Sequence, residues 1–256
     1  MLPERAFTVT LIEKRVWREG LVSLRFARPA EFHFKPGQFA RIGLTGEDGT
    51  YVGRAYSTAS RPEDPFIEFF IVAIEGGALS PRLTALEVGD EAVLEAEPMG
   101  FMTPDRIGGG SVLWLLSSGT GLAPFIGLIR NEEIWKEWPT VVAVHSVRNS
   151  EDLAYEDFFK EVSEDPRLAG AEGRRLCYVP VVTREKTEHL SERIPALIES
   201  GALEEAAGVR FDSEESRVML CGNPDMVQDV RNLLKKQGFV SPRRGNPGNL
   251  LAETLW

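Results

Sequence analysis

Residues 54–60 read Arg-Ala-Tyr-Ser-Thr-Ala-Ser and bring together an arginine, an aromatic ring and three hydroxyl groups. An alternating strand would present such groups close to one another. Arg54 can pair bidentately with a diphosphate, Tyr56 can stack on a flat ring, and Ser57 can hydrogen-bond a ring heteroatom. A planar ligand that carries phosphate needs all of these contacts. The same alternation also suits the solvated face of an ordinary sheet, so this segment alone does not decide between the two interpretations.

The chain has the composition of a soluble globular protein, with 43% hydrophobic and 27% charged residues among 256. That length allows one large domain or two of about 100 to 150 residues. No apolar run approaches the ~18 residues of a membrane span, and the first residues lack the apolar core of a secretory signal, so a cytoplasmic protein is expected. The net charge of -10 argues against wholesale binding of nucleic acid, although a local basic patch is compatible with it.

The cysteines and histidines argue against a metal centre. Cys177 and Cys221 are too few for an iron–sulfur cluster held by thiolates. The histidines, His33, His145 and His189, are scattered and lack the spacing of metal ligands. Any electron chemistry is therefore expected to use an organic cofactor.

The first hundred residues predict a small antiparallel β-barrel. Short strand-like runs are separated by turn residues, as in small barrels, and they lie at 7–12, 22–26, 39–42, 66–72 and 91–95. A helix is expected to follow Ser80, with Ser80 as its cap and Pro81 at the first helical position.

From about residue 111 the pattern changes to apolar strands that alternate with helical segments. This alternation predicts an α/β domain with a parallel sheet. The strands are expected at 111–116, 141–144, 176–182 and 218–221, and the helices at 125–135, 153–162, 194–200 and 224–237. Turn residues near 103–106 place the boundary there, so the expected domains are residues 1–104 and 105–256.

Ligands of open parallel sheets bind at the carboxyl ends of the strands. After the first predicted strand, residues 118–125 form a glycine-rich turn into a helix, where free N–H groups can hold a diphosphate. Gly119 and Gly121 are present, but Pro124 stands where the dinucleotide fingerprint has its third glycine. An ordinary strand-to-helix turn explains the same residues, because proline is preset for the first helical turn.

The fourth predicted strand ends in Cys221, Gly222, Asn223 and Pro224. Gly222 would let a ligand approach the backbone, and Asn223 with Pro224 would begin a helix. Cys221 is either a thiol near a nicotinamide ring or a small buried hydrophobic residue, which is the common role of a free cysteine.

Three arginines follow the second and third predicted strands: Arg148, Arg184 and Arg193. Where an NAD-binding unit offers an acidic residue to the ribose, this chain has Arg148, which favours a 2′-phosphate. Together the guanidinium groups suit the charge of about −1.5 to −2 on one phosphate. We therefore expect NADP, although each arginine taken singly is also typical of a solvated surface.

In their order and spacing, five motifs resemble those of the bacterial ferredoxin/flavodoxin–NADP reductases. They lie at residues 54–57, 77–83, 119–121, 221–224 and 252–256, so the resemblance covers nearly the whole chain. It implies an FAD-binding barrel followed by an NADP-binding domain, with nicotinamide and flavin meeting in the cleft between them. It also implies exchange of electrons between NADP(H), as hydride, and ferredoxin or flavodoxin, as single electrons.

The resemblance assigns residues to both cofactors. Tyr56 would stack on the flavin and Ser57 would approach its N5 region. The other FAD contacts would come from Arg54, Ala55, Phe70, Ala78, Leu79, Ser80 and Thr120. The NADP contacts would come from Gly119, Gly121, Arg148, Thr183, Arg184, Arg193, Gly222, Asn223 and Pro224. Tyr56, Ser57, Cys221 and Glu253 are expected at the reacting centre.

The sequence ends in Leu255 and Trp256. Because chain termini are usually poorly ordered, a large aromatic ring there is expected to pack against another group. Stacking of Trp256 on FAD would be worth about 1 kcal/mol beyond burial. Many family members place an aromatic residue or alanine over the flavin where this chain has Leu255, so either residue is a candidate cover. Trp256 could instead fill a surface groove. Glu253, beside this tail, is either a proton donor or a solvated carboxylate.

Ferredoxin and flavodoxin are typically acidic, so a net charge of -10 would hinder their encounter with this protein unless one face is basic. Candidates for such a face are Lys35, Arg61, Arg82, Arg243 and Arg244. A monomer is expected. Two other functions stay open: a reductase component of an oxygenase or general flavin reductase of the same fold, and a non-catalytic nucleotide-binding subunit.

Overall fold

Six antiparallel strands form the first sheet of the computed structural model, which describes residues 3–243 and 247–254. The strands are β1 (Ala6–Arg18), β2 (Leu21–Ala27), β3 (Phe39–Thr45), β4 (Tyr51–Ser57), β5 (Phe66–Val72) and β6 (Glu91–Glu95). Their order in the sheet is β4-β3-β6-β1-β2-β5. An antiparallel bridge between Thr58 and Phe69 joins the two edges, so the sheet closes into the predicted barrel.

Apolar side chains fill the barrel because strand residues alternate between its inside and its outside. On β1, Val9 and Leu11 are buried, whereas Thr8 and Ile12 are exposed. Burial of each large side chain contributes about 2 kcal/mol to the free energy of folding. The largest fully buried ones inside the barrel are Phe26, Phe32, Phe69, Leu11, Leu24, Ile42 and Ile67.

Helix α1 (Ser80–Thr84) follows the barrel strand β5, one residue earlier than expected. The prediction that Ser80 caps this helix is wrong, because Leu79 occupies the cap position and Ser80 is the first helical residue. The hydroxyl of Ser80 instead accepts a hydrogen bond from the backbone N–H of Ile74 at 3.0 Å. This hydrogen bond therefore connects the preceding turn to the first residue of the helix.

Five parallel strands form the second sheet, in the order β11-β10-β7-β8-β9. The strands are β7 (Val112–Ser118), β8 (Thr140–Val147), β9 (Arg175–Val182), β10 (Ser216–Gly222) and β11 (Leu250–Thr254). Four of them lie where the sequence predicts strands. The fifth, β11, was not predicted; it adds to the edge of the sheet by pairing Leu250 with Val218 and Thr254 with Gly222.

The helices around this sheet differ from the prediction in two places. They are α2 (Ala123–Ile129), α3 (Glu132–Glu137), α4 (Glu156–Glu164), α5 (Ile194–Glu199), α6 (Ala202–Ala207) and α7 (Pro224–Lys236). The single helix expected at 125–135 is two helices, because the side chain of Asn131 accepts a hydrogen bond from Glu133 N–H and starts α3 anew. Helix α6 was missed. Among the helices in the described ranges, none combines the length and the apolar character needed to cross a membrane.

Helix α2 lies between the parallel sheet and the barrel, and all seven of its residues are buried. A Cβ at Gly127 would lie 3.0 Å from the carbonyl oxygen of Ser60 and 3.1 Å from that of Thr58. Any larger residue would therefore force this helix and the end of the barrel apart by a few tenths of an ångström. The core on this side of the sheet continues across the junction to the barrel residues Leu21, Ala59 and Phe70.

Candidate functional site

A cleft of about 810 Å³ lies between the barrel and the carboxyl end of the parallel sheet. The barrel contributes Phe70 and Val72 from β5 to its walls. The parallel domain contributes residues that follow β7, β8, β9 and β10, as expected for a ligand of an open sheet. The cleft is long and mixed in character, with apolar walls and several charged groups.

The three predicted arginines, Arg148, Arg184 and Arg193, all line this cleft, together with Thr183. They are exposed, and none of them forms an ion pair with another residue in the described ranges. The backbone N–H of Arg184 donates to the carbonyl of Arg148 at 2.8 Å, which holds the two loops side by side. The structure thus brings together a group of guanidinium donors that an anion can engage.

The ends of β7 and β10 meet at the next part of the cleft. The backbone N–H of Asn223 donates to Ser118 Oγ at 2.9 Å. A Cβ at Gly121 would lie 2.4 Å from the carbonyl oxygen of Cys221, so glycine is required for this close approach. Gly222 has φ 139°, and a Cβ there would lie 2.3 Å from Ser118 Oγ. The glycines expected to contact NADP therefore also make the backbone of this site possible.

Helix α7 begins at this junction, as predicted. Asn223 is its cap, and its side chain accepts hydrogen bonds from the N–H groups of Asp225 and Met226 at 3.0 and 3.2 Å. Pro224 is the first helical residue. Gly119, Thr120 and Asn223 line the cleft.

His145 fixes the Gly119 turn, a role that the sequence did not suggest. Its Nε2 lies 3.1 Å from the carbonyl oxygen of Gly119, and its ring is fully buried. Burial lowers the pKa of His145 to about 4, so the ring is neutral at physiological pH. One feature of the sequence could have pointed to this role: His145 lies near the carboxyl end of β8, where ligands of a parallel sheet bind.

Arg18 and Asp152 are also cleft residues that sequence reasoning missed. Arg18 ends β1 of the barrel, and its guanidinium lies 2.6 Å from the carboxylate of Asp152 in the second domain. This ion pair spans the two domains at the cleft wall. A charged pair between residues so far apart in the chain leaves no local sequence pattern.

The segment expected to bind FAD lies at the end of β4. Arg54 is exposed, the Tyr56 ring is partly buried, and Ser57 is buried. Because neighbouring strand residues point to opposite faces, Tyr56 and Ser57 would approach a common ligand from different directions. Ser57 is only 4% exposed, and its buried hydroxyl has no hydrogen-bond partner within the described residues. A buried hydroxyl without a partner fits a ligand atom at this position.

The segment expected to hold the FAD diphosphate lies at the start of α1. Ala78 is exposed, whereas Leu79 is buried in the barrel core. In the described part of the chain, the backbone N–H groups of Ala78, Leu79 and Ser80 donate to no other protein atom. Unused donors in a row suit an anionic ligand.

Neither Cys221 nor Glu253 is among the residues that line the cleft, and the two differ in burial. Cys221 is fully buried in the core, and burial, together with the nearby Glu253, raises the pKa of its thiol well above the usual range. The structure thus favours the small buried residue over a reactive thiolate. Glu253 is partly buried, and burial raises its pKa to about 7 although the N–H of Phe101 opposes the shift. Its Oε2 has no hydrogen-bond partner among described residues.

Several expectations fall on residues that the structure does not describe. Leu255 and Trp256, the candidate covers of the flavin, and Arg244 lie outside the described residues.

Two residues of the expected basic face form ion pairs with carboxylates, which reduces the positive charge of that face. Lys35 pairs with Asp105 at 2.9 Å, and Arg61 pairs with Asp64 at 2.8 Å. Arg82 donates to the carbonyl of Thr45, and Arg243 is exposed. Within the described ranges, no cluster of three or more side chains has the composition of a metal site.

Comparison with known proteins defines the class of this protein. The model of the Oxidoreductase FAD-binding domain family matches residues 8–102, and that of the Oxidoreductase NAD-binding domain family matches residues 115–232. The two sheets and the cleft between them are therefore those of a two-domain oxidoreductase of the flavin and nicotinamide type.

Full-length relatives narrow this class. Ferredoxin–NADP reductase of Azotobacter vinelandii is 37% identical over 240 residues, 93% of this chain and 92% of that protein. Flavodoxin/ferredoxin–NADP reductase of Escherichia coli K12 is 38% identical over 242 residues, 94% of each chain. The crystal structure of a ferredoxin NADP+ reductase from Neisseria gonorrhoeae with bound FAD and NADP has a TM-score of 0.90 at 30% identity, covering 99% of this chain and 100% of that one. The chain belongs to the ferredoxin–NADP reductase family.

Proposed function

We propose that this protein exchanges electrons between NADP(H) and a one-electron carrier, ferredoxin or flavodoxin, with FAD as its bound cofactor. The observation that carries this proposal is the cleft between the domains, whose walls include Arg148, Arg184 and Arg193 as well as Phe70 and Thr120. Arginines suit the 2′-phosphate of NADP, whereas the Phe70 ring and the Thr120 hydroxyl suit the flavin end of the cleft, where both were expected to contact FAD. The match of both domains to FAD-binding and NAD-binding family models supports the same reading.

Bound FAD would supply the conversion between two-electron and one-electron exchange, and the chain would supply position and electrostatics. On the barrel side, we assign the flavin contacts to Arg54, Tyr56 and Ser57. The partly buried Tyr56 ring offers a stacking face, and the Ser57 hydroxyl, which has no partner among the described residues, offers a hydrogen bond. The backbone N–H groups of Ala78, Leu79 and Ser80 would bind the diphosphate.

On the other side of the cleft, we assign the nicotinamide nucleotide to the turn at Gly119 and to the arginines. His145 holds the Gly119 carbonyl, and Ser118 holds the N–H of Asn223. This backbone is therefore ordered before a ligand arrives, which lowers the entropic cost of binding. Glu253, with a pKa of about 7, is positioned to hold or release a proton near neutral pH.

The remaining assignments follow from the same reading. We assign FAD binding to residues 1–104 and NADP binding to residues 105–256. We also propose a monomer that works in the cytoplasm and binds neither nucleic acid nor membranes. The full-length match to ferredoxin–NADP reductases favours this function over an oxygenase component or a non-catalytic subunit.

Rapid mixing of the flavin-loaded protein with NADPH, and separately with NADH, tests this function. Under anaerobic conditions, NADPH should bleach the flavin absorbance at least tenfold faster than NADH at equal concentration, because each charge-assisted hydrogen bond to the 2′-phosphate contributes about 1.5 to 3 kcal/mol. Oxidised ferredoxin or flavodoxin added afterwards should restore the absorbance. Protein that retains no flavin, or flavin that neither nucleotide reduces, would refute the proposal.

A further inference from the structure

A buried cluster of hydrogen bonds joins the two domains beside the cleft. Its centre is Glu68 of β5, whose side chain is 1% exposed. Glu68 Oε2 accepts hydrogen bonds from Arg25 at 2.8 Å and from Arg130 at 3.0 Å, and Oε1 accepts one from the Tyr155 hydroxyl at 2.8 Å. Arg25 belongs to the barrel, whereas Arg130 and Tyr155 belong to the second domain. One carboxylate therefore binds both domains.

The carboxylate of Glu68 is ionised in this cluster. Burial opposes its charge, but Arg130 and Arg25 outweigh that effect and lower the pKa of Glu68. Removal of one partner of such a buried charge strongly lowers the stability of the fold, because water cannot hydrate the groups that remain. The cluster therefore has one favourable geometry, and that geometry fixes how the domains face each other.

Tyr155 connects the cluster to the wall of the cleft. Its ring meets Phe70 edge-on, with centroids 5.2 Å apart, and Phe70 lines the cleft. Its hydroxyl also lies 2.6 Å from Ser23 Oγ, which in turn accepts a hydrogen bond from Trp17 Nε1. Tyr155 thus touches the barrel through both its ring and its hydroxyl.

The backbone of Tyr155 is strained, which indicates that its position matters. Its φ is 66°, and it is the one residue other than glycine with a positive φ in the described part of the chain. A residue with a Cβ occupies this region at a cost, and it stays there when its surroundings determine the position strongly.

Arg130 extends the cluster toward the predicted flavin contacts. Its guanidinium donates to the carbonyl of Ala59 at 2.7 Å as well as to Glu68. Ala59 follows Ser57 by two residues at the end of β4. The same cluster therefore holds Phe70 and the end of the flavin-binding segment in one arrangement.

We propose that Tyr155 is a positioning residue for electron transfer: acting through Phe70 and the Glu68 carboxylate, it sets the distance between the nicotinamide and the flavin. This inference rests on the proposed function. A misplacement of about 1 Å at reacting groups can slow a reaction by about a hundredfold. Within the described residues Tyr155 hydrogen-bonds Ser23 and Glu68 and none of the three cleft arginines, so binding of the 2′-phosphate of NADP would not depend on Tyr155.

The test compares Tyr155→Phe with Tyr178→Phe. Tyr178 is a matched control, because its hydroxyl is also buried in the second domain but has no hydrogen-bond partner among the described residues. Three quantities are measured: the rate of flavin reduction at saturating NADPH, its isotope effect with NADPH deuterated at nicotinamide C4, and the affinity for NADP+ by calorimetry. Hydrogen exchange of the flavin-free proteins adds a readout that needs no cofactor.

Tyr155→Phe should slow flavin reduction about tenfold and change the isotope effect, while NADP+ affinity stays within about twofold. In the flavin-free protein, amides near Ala59 and Phe70 should exchange faster. Tyr178→Phe should match the wild type in all of these measurements. Reduction by Tyr155→Phe at the wild-type rate, even with a lower Tm, would make Tyr155 a structural residue only and overturn the proposal. Failure of the proposed function would instead show in the wild type, as flavin that NADPH does not reduce.

Discussion

Cys221 on β10 and Glu253 on β11 are register partners at the carboxyl end of the parallel sheet. Burial raises the pKa of both groups, that of Cys221 above its usual range and that of Glu253 to about 7. The thiol therefore stays neutral at physiological pH. Glu253 is the member of the pair that changes its charge near neutrality.

Glu253→Gln should stabilise the protein at pH 8 and have little effect at pH 5. The folded-state pKa of about 7 lies above the ordinary value of 4.5, so the protonated carboxyl contributes stability at low pH that is lost as the pH rises through 7. The Tm of the variant relative to wild type should thus increase by about 2 to 4 °C between pH 5 and pH 8.

Glu172→Gln is the control for this experiment, because Glu172 is exposed and its side chain forms no ion pair or hydrogen bond with another described residue. The Tm of this variant relative to wild type should change much less between pH 5 and pH 8 than that of Glu253→Gln. A Glu253→Gln difference that is the same at both pH values would show that Glu253 does not titrate in this range.

Ser57→Ala should affect the flavin-loaded protein and the flavin-free protein differently. Without flavin, the Ser57 hydroxyl is buried and has no partner among the described residues, so its removal should leave the Tm unchanged or raise it. With flavin, the variant should lose a hydrogen bond worth about 1 kcal/mol, and FAD should dissociate about fivefold more readily. Thermal unfolding and FAD titration measure both effects.

Thr58→Val is the matched control for Ser57→Ala. The Thr58 hydroxyl donates to the carbonyl of Gln38 at 2.9 Å, so its removal should lower the Tm of both forms by a similar amount. If Ser57→Ala also lowers both equally, Ser57 does not contact the flavin.

Arg184→Ala should weaken the use of NADPH without affecting the use of NADH. Loss of one charge-assisted hydrogen bond to the 2′-phosphate would lower kcat/KM for NADPH about ten- to a hundredfold. Arg210→Ala is the control, because Arg210 is exposed and lies outside the cleft. An equal loss with both nucleotides would mean that Arg184 does not recognise the 2′-phosphate.

Gly121→Ala should impair NADP+ binding much more than Gly119→Ala. A Cβ at Gly121 would lie 2.4 Å from the carbonyl of Cys221, so the backbone must move, whereas a Cβ at Gly119 meets no atom of the described residues within 4 Å. The positive φ of Gly119 alone costs about 1 to 2 kcal/mol in stability. Calorimetry should give at least a tenfold loss of NADP+ affinity for Gly121→Ala. Similar losses for both variants would contradict this explanation.

Local patterns predicted most strands of both sheets because most of them carry their own apolar run. Strand β11 has only five residues, and it forms by pairing with β10, whose sequence lies about thirty residues earlier. Helix α6 buries only Leu203 and Ala207, so its sequence shows no apolar helical period. Both elements depend on contacts that a local pattern does not contain.

The interdomain cluster shows the same limit at the site. Glu68 is the charged residue in the otherwise apolar sequence of β5, and a charge in such a strand suggests a buried partner. Its partners Arg130 and Tyr155 lie 62 and 87 residues further along the chain, so only the fold identifies them. Arg148 and Arg184 were predictable as cleft residues because each closely follows a strand, and strand ends of one parallel sheet meet at one edge, whereas Arg18 of the barrel was missed.

The complete burial of α2 also determines how this protein can be divided. A second domain produced alone would expose the face of α2 that meets the barrel, next to Arg130 without its carboxylate. An exposed apolar surface beside an unpaired charge favours aggregation rather than an independent fold. A chimera that takes one domain from this protein and the other from a relative is therefore expected to fold only if the α2 surface that contacts the barrel is redesigned.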